Sequence, residues 1–126
     1  MLNKHISRSA YLLIATGILH NLIGIGLGYS VLGDMLREGL FNSTHMQFDR
    51  EAIFWFLFSG VAMMLWGMLM LKLEAIPLSF SWSLLLLSCV GAIIMPLSGF
   101  WLVMPQALYM LWQTQKQAVV TTSKSL

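Results

Sequence analysis

The sequence predicts an all-α fold, an integral membrane four-helix bundle, and three observations point to it. Of the 126 residues, 58% are hydrophobic and only 10% are charged, where water-soluble domains carry about 25% charged residues. Mean hydropathy is +0.78, so a chain of this size could not cover its surface with polar groups, and lipid is the expected solvent. The apolar residues also gather into four stretches, roughly 11–31, 52–71, 78–95 and 99–112. A single domain fits the length.

Each element can be justified in turn. Lys4 and Arg8 precede the first stretch, as they would in a signal peptide. The run from Ala10 to Val31 outlasts a signal core, however, and no small-x-small cleavage site follows, so it reads as a retained span. The first two stretches reach the ~20 residues that cross ~30 Å of hydrocarbon as helix. Between them, "GDMLREGLF" reads as a short interfacial helix with Asp34 as its cap and Gly39 as its stop. Thr44 followed by Gln47 is a capping-box pattern for the helix that enters the second span. The last two stretches are joined by "MPLSGFW", in which Pro96 ends one helix and Ser98-Gly99 turns the chain into a tight hairpin. As one helix, 78–112 would be about 50 Å long, too long for a span. The tail 114–126, rich in Gln, Thr, Ser and Lys, reads as disordered.

Charge sets the expected orientation. Lys4, Arg8, Lys72, Lys116 and Lys124 fall on one side of the four spans, and only Arg37 and Arg50 on the other. The positive-inside rule then places both termini in the cytoplasm. Trp55, Trp101 and Tyr29 fall near the outer rim, and Trp82, Trp112, Tyr109 and Tyr11 near the inner one, the pattern of two aromatic belts. Trp66 fits neither belt and is expected within the bundle or against lipid.

His20 and Asn21 interrupt the first span. On a helix they share one broad face with Thr16, Gly17, Gly24 and Gly28. Gly24 and Gly28 form GxxxG, which lets a second backbone approach closely. Gly60 and Gly67 form a small-residue stripe on the second span. Centring both spans puts Gly17 level with Gly67, Gly24 with Gly60, and His20 with Met64. A neutral His20 bonded within the bundle then has two readings. One is an interhelical hydrogen bond, worth roughly 0.6–2 kcal/mol. The other is a ligand contact, since an ionisable residue inside a membrane marks a functional site by default.

Other functions lose ground. The formal charge of +2 and the lack of a basic patch interleaved with aromatics argue against nucleic acid. The lone Cys89 allows neither an internal disulfide nor a CxxC redox motif. Ser59, Ser88 and Ser98 have no His–acid partner at triad spacing. All five carboxylates, Asp34, Glu38, Asp49, Glu51 and Glu74, fall at span ends or in loops, leaving no intramembrane acid to couple protons to transport. Haem would need His20 and a second axial ligand, such as Met64 or a second copy's histidine. His45 and Asp49 are a weak metal pair, and no metal site is expected.

"GILHNLIG", "REGLFN", "AIFWFLFSG" and "MPLSGFW" resemble a family of short bacterial four-span membrane proteins of unknown function, over roughly 8–112. The resemblance implies a bacterial inner-membrane protein and carries no activity. It also implies that His20, Asn42, Arg50 and the 96–101 turn belong to a common pattern. The layout is similar, more loosely, to the quinone-associated DoxX-like four-helix proteins. Together these observations favour a non-enzymatic inner-membrane protein with a small lipid or hydrophobic-ligand pocket near its outer face, ringed by His20, Asn21, Arg37, Arg50 and Trp101. The alternatives are an accessory or immunity-type subunit bound to another membrane protein or to a second copy, and a haem- or quinone-linked redox component.

The charge asymmetry generates a topology test. A reporter fused after Gln113 should signal from the cytoplasm, and one inserted within 42–47 from the opposite side. A non-cytoplasmic signal from the C-terminal fusion would reverse the orientation.

Overall fold

The computed structural model describes residues 4–96 and 98–124, with side chains described over 6–96 and 98–116. Five helices follow one another without a strand among the described residues: α1 (Lys4–Leu27), α2 (Tyr29–Glu38), α3 (Phe48–Met70), α4 (Leu78–Ile94) and α5 (Phe100–Lys124). Two segments, Ile6–Leu27 and Phe48–Met70, are long and apolar enough to cross a membrane, and α4 is a shorter apolar helix.

The exterior is apolar as well as the core, unlike that of a water-soluble protein. Ser81 and Ser88 are fully buried, while Leu27 and Ile93 are 78% and 80% exposed. Exposed leucine, isoleucine, phenylalanine and tryptophan cover α1, α3 and α4 along their length, an apolar surface far beyond the patches that soluble monomers tolerate.

The packing centres on α1, which lies against α3 along most of its length and against α5 on another side; α5 in turn packs on α4. Among the described residues α3 and α4 make no close backbone approach, and the edge-to-face pair Trp66–Phe80, 6.3 Å between centroids, bridges them. The buried core gathers at the N-terminal end of α1, where Ile6, Ala10 and Leu13 meet Met70, Ile76, Leu84, Val103, Ala107 and Met110.

Glycines bring α1 and α3 together. A Cβ at Gly17 would come within 2.6 Å of the Gly60 carbonyl oxygen, and one at Gly67 within 2.8 Å of the Ala10 carbonyl. Gly24 lies under Phe56 and Leu57, and Gly28 under Ile53. The register therefore differs from the centred one by about a helical turn, with Gly17 beside Gly60 and Met64, not Gly67. The cause is steric. The Asn21 amide fills the space above Gly60, and that fit, not the midpoint of each span, sets the slide.

Four boundaries also differ. α1 ends at Leu27, and Gly28 joins it to α2 with helical hydrogen bonds still running through it, from Gly28 N–H to the Gly24 carbonyl and from Leu32 N–H to the Gly28 carbonyl. Asp34 lies inside α2 and bonds Arg37 instead of capping, while Gly39, at φ +102°, does end that helix. Gln47 precedes α3 with no side-chain cap bond, so Thr44 and Gln47 form a backbone turn in place of a capping box. At the other terminus α5 runs on to Lys124. The stretch 114–124, read from composition as disordered, is helical; its first polar residues serve the bundle, with Gln113 facing Ser9 and Thr114 facing Ser81. Residues 125 and 126 lie outside the described residues.

The contrast between Gly17 and Gly26 makes the packing testable. Gly26 has open space where a Cβ would go. Gly17→Leu should lower thermal stability in detergent by at least the ~1–3 kcal/mol typical of overpacking, whereas Gly26→Ala should be neutral or slightly stabilising. Equal melting of the two variants would show that the α1–α3 seam does not hold the fold.

Candidate functional site

His20 is placed by three elements. From α1 its ring stacks flat on Phe56 of α3, with centroids 3.8 Å apart and planes 10° apart. Its Nε2 lies 3.1 Å from the Phe56 carbonyl oxygen and 3.1 Å from Ser59 Oγ. A carbonyl oxygen only accepts, and the Ser59 hydroxyl donates to that same oxygen at 2.7 Å. The hydrogen of a neutral imidazole therefore sits on Nε2. Nδ1 makes no hydrogen bond among the described residues, and a Cβ on Gly99, in the turn between α4 and α5, would lie 3.9 Å from it. Glycine at 99 places no side chain of its own against that nitrogen. An imidazole anchored through one nitrogen on a backbone carbonyl and open at the other is the arrangement that presents an oriented acceptor.

The turn itself is built by its own residues. α4 stops at Ile94, just before Pro96, and the Trp101 indole N–H donates to the Pro96 carbonyl at 2.8 Å, closing the loop. Pro105 lies inside α5. Its missing N–H removes the i+4 helical donor of the Trp101 carbonyl. The sequence pointed to the 96–101 turn but not to Ser59 or Pro105. The proline inside an apolar run was the available signal.

The hairpin stops short of its neighbours. α4 has 17 residues, about 25 Å, and α3 has 23, about 34 Å. Because Gly99 sits level with His20, α1 continues seven residues past the turn, about 10 Å, to Leu27. His20 and the exposed Ser59 thus lie at the foot of a notch, with α1 and α3 rising beyond it.

The remaining candidates divide. Asn21 packs over Gly60, its Oδ1 buried and without a hydrogen-bond partner among the described residues. Arg37 is exposed on α2, 2.6 Å from Asp34 and bonded to the Gly33 carbonyl. Arg50 is buried at the start of α3, and its guanidinium is committed to Glu38 at 2.6 Å and to the Ser43 carbonyl at 3.2 Å. It therefore clamps the 39–47 loop. No hydrogen bond or ion pair joins either arginine to His20 among the described residues. Met64, weighed as a second haem ligand, packs on Gly17. No three His, Cys, Asp or Glu side chains gather among the described residues.

A second line of polar groups follows the α1–α5 seam. Gln106 donates to Thr16 Oγ1 at 2.6 Å, and Ser9 donates to Gln113 Oε1 at 3.3 Å. Gln106 and Gln113 stand seven positions apart on α5, and Gly99, seven positions earlier in the preceding turn, continues the spacing toward α1.

A family model described as "Family of unknown function (DUF6463)" matches residues 4–117. No curated protein and no solved structure matches the chain, so the likeness to DoxX-like proteins carries no argument here.

The clamp can be tested apart from the notch. Arg50→Gln should open 39–47 to limited proteolysis while lowering stability only modestly, because Glu38 is 61% exposed and ion pairs of that kind contribute about 0–1 kcal/mol. Cleavage no faster than in the wild type would show that the loop is held by other contacts.

Proposed function

The chain belongs to this DUF6463 family of unknown function, and from that premise we propose that it is a non-enzymatic membrane protein that binds a small hydrophobic ligand at the His20 notch. In this reading α1, α3, α4 and α5 are the four spans of a bacterial inner-membrane bundle, with both termini in the cytoplasm and the notch toward the outer face. The lysine and arginine distribution and the apolar exterior support that placement.

One observation carries the binding reading: His20 is anchored through Nε2 on the Phe56 carbonyl, with Nδ1 open at Gly99. A histidine that only joined helices would need no uncovered nitrogen. The free group is an acceptor, so the ligand presents a donor, a hydroxyl or N–H, on an apolar body that lies in the notch. A lipid headgroup hydroxyl meets this description. So does the reduced, hydroxyl-bearing form of a quinone, whereas the oxidised carbonyl form does not. The accessory-subunit reading draws on a different feature, the mutually packed and exposed Phe54, Trp55 and Phe58 on α3.

Native mass spectrometry of the protein purified in mild detergent tests the proposal. The wild type should carry a small molecule at one copy per chain. Gly99→Leu, which covers Nδ1 at an exposed position with ordinary backbone geometry, should lose it with no change in melting, and His20→Gln should behave likewise. A molecule retained by both variants would place binding elsewhere. A stoichiometric protein partner in place of a small molecule would favour the accessory-subunit reading.

A further inference from the structure

A second open site lies far from His20, at the N-terminal end of α1. Arg8, Tyr11, Leu12 and Ala15 recur at i, i+3, i+4 and i+7 on one face of α1, and Tyr109 of α5 forms the opposite wall of a groove of about 600 Å³. The groove is open along its side, so an occupant would lie in it and not be enclosed. The groove is graded along its length. Arg8 and the Tyr11 ring occupy the end nearest the terminus, and Leu12 and Ala15 continue toward the middle of the helix, where the alanine leaves room.

Charge identifies the occupant. Arg8 is exposed and makes no ion pair or hydrogen bond among the described residues; the two ion pairs present, Arg37–Asp34 and Arg50–Glu38, lie at the opposite end of α1 and α3. The Ser9–Gln113 bond brings α5 level with Arg8, so Lys116 lies within about one turn of it. Lys116 Nζ sits 3.8 Å over the Trp112 ring, which stacks on Tyr109. Lys72 is at this end as well, and Glu74, in the α3–α4 connection, is the one carboxylate there, exposed and unpaired among the described residues. One unpaired cation, Arg8, and two tyrosines thus border an apolar trough, with Lys116 nearby over Trp112. We propose that this groove binds an anionic phospholipid, with the phosphate at Arg8 and Tyr11 and an acyl chain along Leu12 and Ala15. The site is independent of the His20 notch and requires only that the chain lies in a bilayer.

The test uses the full-length protein in mild detergent with phosphatidylglycerol or phosphatidylethanolamine of the same acyl chains, read by native mass spectrometry. Phosphatidylglycerol should be retained about fivefold or more over phosphatidylethanolamine, the size expected for one basic residue at an anionic headgroup. Arg8→Gln should bring the two lipids to parity, Arg8→Lys should keep part of the preference, and Arg37→Gln at the far end should leave it unchanged. Ala15→Leu, which fills the trough, should lower retention of both. Equal retention by the wild type, or a preference that survives Arg8→Gln, would overturn the proposal. So would a dimer that excludes lipid from the groove, since it would identify a second copy as the occupant.

Discussion

The structure depends on how closely the α1 and α3 backbones approach. Between helices surrounded by lipid there is little hydrophobic driving force, because hydrocarbon chains are as apolar as leucine, and association rests on van der Waals contact and interhelical hydrogen bonds. Gly17 and Gly60 place one backbone against the other, with Asn21 seated over Gly60. Everything attributed to His20 follows from that distance. Its ring reaches the Phe56 carbonyl only because the axes are close, and a single methyl group at Gly17 or Gly60 would move the carbonyl out of range. The glycines thus act as positioning residues for a group they do not touch.

The α1–α5 contact is made differently. It has no glycine stripe, and its polar pairs stand two turns apart: Ser9 with Gln113 and Thr16 with Gln106. Apolar packing alone specifies register poorly, since leucine against leucine fits after a slide of one turn. Hydrogen bonds do not tolerate that slide. The same pairs leave Gln106 Oε1 and Gln113 Nε2 buried and unbonded among the described residues, so the register is held at some cost in unsatisfied polar groups.

Much of this was legible from residues alone. The α4–α5 turn followed from Pro96 and Gly99, because an absent N–H and an absent side chain act through local sterics. The end of α2 at Gly39 has the same origin. Long-range alignment was not legible: nothing in either span says that Asn21 rather than Gly24 seats over Gly60, because that fit depends on a partner about 40 positions away. The extension of α5 beyond Trp112 was hidden for a related reason. Gln113 and Thr114 look like solvent-facing residues until α1 and α4 supply Ser9 and Ser81. The anchoring of His20 needed Ser59 and the Phe56 carbonyl, and a backbone acceptor has no sequence signature.

The shortness of α4 has a mechanical consequence. A hydrocarbon layer is about 30 Å thick, and a helix of 17 residues supplies about 25 Å, whereas α3 exceeds the layer and can tilt to fit. In the proposed four-span arrangement the molecule would meet the bilayer with two different hydrophobic heights, the lower one at α4. Lipids beside α4 would then thin to match it, at a fraction of a kcal/mol per ångström of mismatch, while those beside α3 would not. An uneven collar of this kind would favour thinner membranes and would give neighbouring proteins with similarly short helices a reason to gather beside α4, without any specific contact between them.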